Sequence, residues 1–293
     1  MAYAFHLDSE LKFDQLHHTT SRYILPYIRQ YVPIGPGTRI LDVGCGTGGV
    51  LKSFLEAGAT VLGVDFNAGS VGVANRRFAQ EVQEGRARFQ VKDVYDFEEN
   101  EVFDLIILKD AIEHIHNQER IIRHLKKFLL PGGKIFFGFP PWLMPFGGHQ
   151  QIIRNNKKLS KLPYFHWLPK PLFMEVLRTG GVSEKIQADL SEIYDTGIST
   201  ARFETIVKSV GYRIVNRQVF FVNPNYEIKF GLNPRKQWSW LSKLPYLRDI
   251  LGTAAYYVIA PRVYEQPALG EQPAQETYLR ELTPSLETQV FPA

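Results

Sequence analysis

The sequence predicts an α/β fold built on an open, doubly wound sheet, and three observations carry that expectation. Short apolar runs recur at the length of buried strands: Ile40 to Val43, Thr60 to Val64, Phe103 to Leu108 and Lys134 to Phe139. Stretches with helical spacing separate them, opened by capping residues or closed by Gly and Pro. The first of these strands runs directly into a glycine-rich turn and then a helix, as Arg39-Ile40-Leu41-Asp42-Val43-Gly44-Cys45-Gly46-Thr47-Gly48-Gly49. A strand that turns this tightly into a helix is expected to leave backbone N–H groups and the positive helix end facing one ligand. The absent Cβ atoms let that ligand lie on the backbone.

Composition narrows the setting. The 293 residues are 44% hydrophobic and 22% charged, an ordinary globular balance. The single cysteine, Cys45, excludes a disulfide framework and favours a reducing compartment. Asp8 and Glu10 precede any apolar run, which argues against a signal peptide, and no apolar span approaches the roughly 18 residues of a membrane helix. The expectation is a cytoplasmic protein. The net charge of +4 hides an asymmetry, because Glu265, Glu271, Glu276, Glu281 and Glu287 outnumber Arg262 and Arg280 at the carboxyl end. The rest of the chain is correspondingly basic, which suits anionic partners or a solvated lysine-rich surface.

The elements follow in order. Phe13 to Val32 has helical spacing, with Pro26 expected to kink it. His17 and His18 are adjacent, point in different directions and read as surface or lid residues. The second strand ends in Asp65, whose carboxylate can accept both hydroxyls of a ribose, with Phe66 beside it to lie on an adenine. Asn67 caps a helix to about Glu84, and Arg88 to Lys92 is a third strand. Asn117 caps Gln118 to Leu129, and Pro131-Gly132-Gly133 stops that helix. Ser199 or Thr200 caps a helix to Val210. Tyr212 to Val222 alternates as a sixth strand, and Ala254 to Ala260 is the candidate for a seventh. The stretch 262–293 lacks periodicity and is expected to be a disordered tail.

Two glycine patterns overlap in the turn. Gly44, Gly46 and Gly49 with Asp65 downstream satisfy the dinucleotide fingerprint, whereas Asp42, Gly44, Gly46 and Gly48 give D-x-G-x-G-x-G. The second pattern, together with Lys92-Asp93-Val94-Tyr95-Asp96-Phe97, "FDLIIL", "EHI" and "LLPGGKIFF", resembles the class I S-adenosylmethionine-dependent methyltransferases, and their small-molecule, ubiquinone-pathway-type O-methyltransferase branch in particular. The resemblance covers residues 38–139 well and the remainder loosely. It implies a doubly wound, seven-stranded Rossmann-like methyltransferase sheet with an antiparallel last strand, and S-adenosyl-L-methionine as cofactor. It implies cofactor contacts at Asp42, Gly44, Cys45, Gly46, Gly48, Asp65, Phe66, Asp93, Val94 and Lys109, with Asp93 meeting the adenine amino group.

Segments 140–198 and 223–253 are too long for simple connections and leave the sheet at its carboxyl edge, where open α/β sheets bind ligands. With the helical segment 1–37 they are expected to form a substrate lid over the core, which is built from 38–139, 199–222 and 254–261. Both are aromatic and basic. They hold Trp142, Trp167, Trp238 and Trp240, and they share the tetrapeptide of Lys161-Leu162-Pro163-Tyr164 and Lys243-Leu244-Pro245-Tyr246. Such a lid suits a small apolar or aromatic acceptor and allows a weak membrane-surface contact; a small second core accounts for the same aromatics. A hydroxyl acceptor needs a base. His149, after Gly147-Gly148, is the first candidate and His114 the second.

Asp110, Glu113 and His114 resemble the E-x-x-E-H by which ubiquinone-pathway enzymes hold a divalent cation. Aspartate replaces the first glutamate, and a metal is the weaker expectation for this set. A nucleic-acid methyltransferase would carry Asp/Asn-Pro-Pro-Tyr/Phe where this chain has Lys109-Asp110-Ala111-Ile112, so no nucleic-acid partner is expected. A non-catalytic cofactor-binding module and a dehydrogenase are the other readings, and the oligomeric state is left open.

Overall fold

The computed structural model describes residues 9–96 and 101–262. The tail expected beyond Arg262 lies outside the described residues. Strands β1 (Arg39–Val43), β2 (Thr60–Asp65), β3 (Ala87–Val91), β4 (Phe103–Lys109), β5 (Leu129–Phe139), β6 (Tyr212–Val222), β7 (Arg235–Lys236) and β8 (Ala254–Pro261) form one sheet in the order β3-β2-β1-β4-β5-β8-β6-β7. The order reverses between β1 and β4, which is the doubly wound arrangement. The strands β1 to β5 pair parallel, while β8 lies antiparallel between β5 and β6. The expected seven strands are therefore joined by an eighth, the two-residue β7, which pairs with the free side of β6. It lies inside the second insertion, and two residues carry too little alternation to be read from sequence.

Alternation along β4 explains the layers. Leu105 and Ile107 face one side and pack with Phe13, Ile24, Leu51, Phe54, Val71 and Ala74 from the helices of that face. Ile106 and Leu108 face the other and pack with Ile121, Leu125, Phe203 and Val207. A central strand buried on both faces needs an unbroken apolar run, which is why "FDLIIL" is legible.

Several boundaries differ from expectation. The helix predicted through Pro26 is divided into Ser9–Thr19, a wide π turn at Thr20–Ile24 and Leu25–Ile28. The proline ring would clash with the carbonyl four residues earlier, at Arg22, so the irregularity falls ahead of Pro26. The helix after Asn67 breaks at Phe78 into Ala68–Arg77 and Ala79–Gln83. The helix after Asn117 ends at Leu125, and β5 begins at Leu129, taking Pro131-Gly132-Gly133 into its first half. The predicted caps are present: Asn67 accepts from Ser70 N–H, Asn117 from Arg120 N–H and Ser199 from Arg202 N–H.

The segment 140–198 has its own small core of Ile153, Phe165, Phe173, Leu177, Val182 and Leu190. Trp142 closes against His166 and Tyr194, and Gly197 lies so near its ring that a Cβ there would come within 2.2 Å. The second insertion is held by a buried polar knot. Asp249 accepts from the backbone and the hydroxyl of Thr200, at the start of the Thr200–Ser209 helix. Arg248 donates to Glu204 at 2.8 Å, and the same carboxylate oxygen accepts from Arg217 at 2.7 Å and Tyr257 at 2.9 Å. Glu204→Ala would leave Arg248 buried without its carboxylate, and urea unfolding should register a loss of about 3–5 kcal/mol. A loss under about 1 kcal/mol, the usual value of an exposed pair, would show that the knot is ornamental.

Candidate functional site

The glycine turn is locked from inside. Gly44, Gly46 and Gly48 have φ of 83°, 53° and 84°, values that only glycine adopts without cost. The Gly44 and Cys45 amides both donate to the Val64 carbonyl, at 2.8 and 3.0 Å. The Gly46 amide donates to Asp65 Oδ2 at 2.8 Å and the Gly48 amide to the Cys45 carbonyl at 3.0 Å. For these four N–H groups the expectation that they face a ligand is corrected: the end of β2 takes those of Gly44, Cys45 and Gly46, and the turn itself takes that of Gly48. The packing is equally close. A Cβ on Gly48 would meet the Phe78 ring at 2.6 Å and one on Gly63 the Cys45 sulfur at 2.8 Å, whereas one at Gly46 would meet nothing within 4 Å. The turn is open on the side of Gly46.

The other predicted cofactor residues differ in burial and in partners. Asp42 is buried, and its Oδ2 has no hydrogen-bond partner among the described residues. Burial, with the Asp65 charge adding to it and Lys109 opposing, pushes its carboxyl up to about 8. Asp65 Oδ1 accepts from Asn67 N–H, so both its oxygens already hold backbone amides. Phe66 stands out into solvent beyond it. Asp93 accepts from Tyr95 N–H at 2.9 Å, and Val94 is buried. Cys45 is buried, and burial raises its thiol well above the ordinary range, which leaves it inert. Lys109 is buried, pairs with the Asp110 carboxylate, and lays its stem over Gly138.

A cavity of about 320 Å³ opens beyond the ends of β4 and β5. Leu16 of the first helix, Asp110, Glu113 and His114 after β4, Pro140 to Ile152 after β5, and Asn223 to Lys229 after β6 all contribute to its wall. It lies beside the glycine turn: a Cβ on Gly44 would touch Ala111 at 3.2 Å, and one on Gly49 would touch Leu16 at 3.0 Å. His114 and His149, both candidates from sequence, meet here with ring centroids 5.4 Å apart and planes at 70°. Asp110 and His149 take positive φ of 52° and 55°, so the backbone is strained at both mouths of the wall. Burial lowers the His114 pKa, partly opposed by Asp110 and Glu192 and reinforced by Lys12.

Glu113 is fully buried in the same wall, and neither carboxyl oxygen has a hydrogen-bond partner among the described residues. Burial and the Asp110 charge raise its pKa, which keeps it protonated into the neutral range. Among the described residues, no group of three His, Cys, Asp or Glu side chains is placed to hold a metal ion. Asp110, Glu113 and His114 share the wall without converging, since Asp110 turns to the Lys109 ammonium.

Lys12, Gln15, Gln151, Asn223, Asn225, Tyr226 and Lys229 line the cavity without having been singled out from the sequence. Burial lowers Lys229, and burial with the Asp110 charge pushes Tyr226 up to about 12. The one signal that could have found them is Asn223-Pro224-Asn225, a turn set at the exit of β6. His17 and His18 sit elsewhere, on Glu56 at 3.0 Å and Glu227 at 2.9 Å. Glu227 also accepts from Tyr23 at 2.7 Å, and hydrogen bonds from these two side chains hold its carboxyl low.

The family profile described as a methyltransferase domain matches residues 16–164, just over half of the chain. This chain belongs to the class I S-adenosylmethionine-dependent methyltransferases. Over 114 residues it is 33% identical to phosphoethanolamine N-methyltransferase 2 of Caenorhabditis elegans, covering 38% of this chain and 26% of that protein. It is 32% identical over 114 residues to the ubiquinone biosynthesis O-methyltransferase of Coxiella burnetii, covering 39% and 47%. The methyltransferase thus spans from a quarter to about half the length of these curated relatives. The fold resembles that of an S-adenosylmethionine-dependent methyltransferase from Clostridium acetobutylicum, with a TM-score of 0.51 at 12% identity over 84% of this chain and 92% of that one. It also resembles phosphoethanolamine N-methyltransferase 2 of Haemonchus contortus, with a TM-score of 0.50 at 18% identity over 82% and 52%.

The buried acids set a pH prediction. A carboxyl raised in the folded state binds its proton more tightly than in the unfolded chain. Its favourable contribution is complete below an unfolded pKa of about 4.3 and is lost as pH rises through the folded value. Glu113→Gln should therefore lessen the fall in thermal stability on going from acid to mildly alkaline buffer. Part of the fall should persist through Asp42, which titrates at about 8. An unchanged slope in Glu113→Gln would show that Glu113 is ionised in the fold.

Proposed function

We propose that the chain transfers a methyl group from S-adenosyl-L-methionine to a small acceptor held in the cavity, with oxygen as the preferred target. The observation that carries this reading is the position of the cavity: its liner Leu16 packs on Gly49 of the glycine turn, Ala111, next in the chain to its liner Asp110, packs on Gly44, and it presents two histidine rings. A dinucleotide reading is disfavoured by the same turn. Pyrophosphate binding draws on outward-facing amides, and those of Gly44, Cys45, Gly46 and Gly48 are committed within the fold. An uncharged adenosyl group lying on the bare backbone at Gly46 does not need them.

The residues present suit that cofactor. The unpartnered oxygen of Asp42 and the strand-end carboxylates of Asp65 and Asp93 are acceptors for hydroxyl and amino groups, and Phe66 offers a ring face. S-adenosylmethionine, when bound, supplies an activated methyl group on a positively charged sulfur. The chain then has to orient the acceptor, exclude water and accept a proton from it; alignment is worth about 7–11 kcal/mol at best and general-base action about 10²–10⁴-fold. His149 serves as the base in this reading, which its ring contact with His114 in the cavity wall supports. The lowered pKa of His114 keeps that neighbour neutral near pH 7. Leu16, Met144, Phe146 and Ile152 give the cavity apolar walls, and Lys12 and Lys229 bring cations to it. These suit a compact acceptor with an apolar body and an anionic end. No nucleic-acid acceptor and a cytoplasmic setting complete the proposal.

His149→Ala should lower kcat by about 10²-fold or more while calorimetry shows unchanged affinity for S-adenosylhomocysteine. Equal turnover in the variant would remove His149 from the reaction. With the wild type, kcat/KM should fall on the acid side, as protonation removes the base. Affinity for NAD in place of S-adenosylhomocysteine would end the whole reading. Activity lost in a chelator and restored by magnesium would return Asp110, Glu113 and His114 to a metal role.

A further inference from the structure

The repeated tetrapeptide builds two similar turns, which part at the tyrosine, where ψ is 11° at Tyr164 and −51° at Tyr246. Lys161 ends the Lys157–Lys161 helix and Lys243 ends the 3₁₀ turn Leu241–Lys243. Leu162 and Leu244 follow in extended conformation, at φ/ψ of −77°/108° and −87°/109°. After each proline, Tyr164 and Tyr246 take positive φ of 58° and 64° and open a new helical turn. Each turn leaves its lysine and leucine exposed. One lies in each insertion, and the two insertions touch here: the Tyr164 hydroxyl donates to the Ile250 carbonyl at 3.2 Å, and Trp167 packs on Tyr164 at 4.6 Å.

The surroundings are apolar and one-signed in charge. Trp238 is 63% exposed and Trp240 58%, and their rings stack at 6.0 Å; Tyr246 is 60% exposed. Leu247 and Leu251 are also exposed. From 228 to 251 the only acid is Asp249, which is buried on Thr200, while Arg235, Lys236 and Lys243 are exposed. From 151 to 174 there is no Asp or Glu at all, against Arg154, Lys157, Lys158, Lys161 and Lys170, the last paired with Asp195. Exposed tryptophan and leucine side by side with cations, in stretches 151–174 and 228–251 that expose no acid of their own, match the interface of an anionic bilayer. There indole rings sit at the headgroup level, aliphatic groups enter the acyl boundary, and lysine stems reach back to the phosphates.

We propose that the paired Lys-Leu-Pro-Tyr turns and their neighbouring tryptophans dock this chain on an anionic lipid surface. Single-stranded nucleic acid also favours aromatic and basic surfaces, through stacking. Leu162, Leu244, Leu247 and Leu251 have no stacking face, and they make the lipid the better match. Docking rests on the outer surface of the insertions and is separate from the acceptor chemistry inside them. It places the acceptor cavity near a bilayer without any helix among the described residues that could cross one.

The test is co-sedimentation of the full chain with phosphatidylcholine vesicles with and without phosphatidylglycerol. Binding should need the anionic lipid and weaken with salt. Arg235→Ala/Lys236→Ala/Lys243→Ala should lose roughly fivefold in partitioning per charge removed, and Trp238→Ala/Trp240→Ala should lose binding in both low and high salt. Unchanged affinity for S-adenosylhomocysteine verifies that each variant is folded. Equal sedimentation of the triple variant, equal binding to neutral vesicles, or retention on a single-stranded oligonucleotide in place of vesicles would overturn the proposal. Absence of vesicle binding with S-adenosylhomocysteine affinity intact would sink the docking alone, whereas absence of that affinity in the wild type would strike the methyltransferase reading instead.

Discussion

The structure depends on four backbone amides that donate inward. Because the end of β2 crosses under the glycine turn, Val64 and Asp65 take the N–H groups of Gly44, Cys45 and Gly46, and the turn closes on itself through Gly48. Three positive φ values in five residues cost little at glycine and would be strained at any other residue. Phe78, Cys45, Ala111 and Leu16 then pack to within contact distance of the bare Cα atoms. A turn tied down on so many sides presents a fixed surface to a cofactor before any ligand arrives, and preorganisation of that kind reduces the ordering lost on binding.

From the same anchor the cavity is built outward. Ala111 touches the turn, and its neighbours Asp110, Glu113 and His114 form one wall of the cavity. Burial raises the carboxyl of Glu113 and lowers the imidazole of His114, so both favour their uncharged forms, while Asp110 pairs with Lys109. Opposite them the first helix and the Tyr226–Phe230 helix are joined by Glu227, which accepts from His18 and Tyr23, and by Gln15, which donates to the Asn225 carbonyl. The N-terminal segment and both insertions thus meet around one space, as segments leaving the carboxyl edge of an open sheet are placed to do.

The two insertions have different means of support. The first carries an apolar core of its own around Phe165 and Phe173. The second is short of apolar burial and is held through Asp249, Arg248 and Glu204 to the Thr200–Ser209 helix and β8. That arrangement leaves Trp238, Trp240, Leu244, Leu247 and Leu251 facing outward while Arg248 and Asp249 turn inward. Such an inversion of the usual sides costs stability when the charges are unpaired, and here each has partners.

The sequence alone determined the order of the main strands, the helix caps at Asn67, Asn117 and Ser199, and the glycine turn with its aspartates, because each rests on local periodicity, a capping hydroxyl or amide, or a backbone conformation that only glycine adopts. It also brought His114 and His149 forward as candidates. Tertiary structure alone decided that the amides of Gly44, Cys45 and Gly46 are spent on β2, that Lys12, Tyr226 and Lys229 reach the same cavity as those histidines, and that Asp110, Glu113 and His114 do not converge. It decided equally that the insertions carrying the two copies of Lys-Leu-Pro-Tyr, which stand 78 residues apart between Tyr164 and Lys243, touch where the Tyr164 hydroxyl meets the Ile250 carbonyl. Contacts between segments so far apart depend on how the sheet brings its edges together, and no local pattern of residues encodes that.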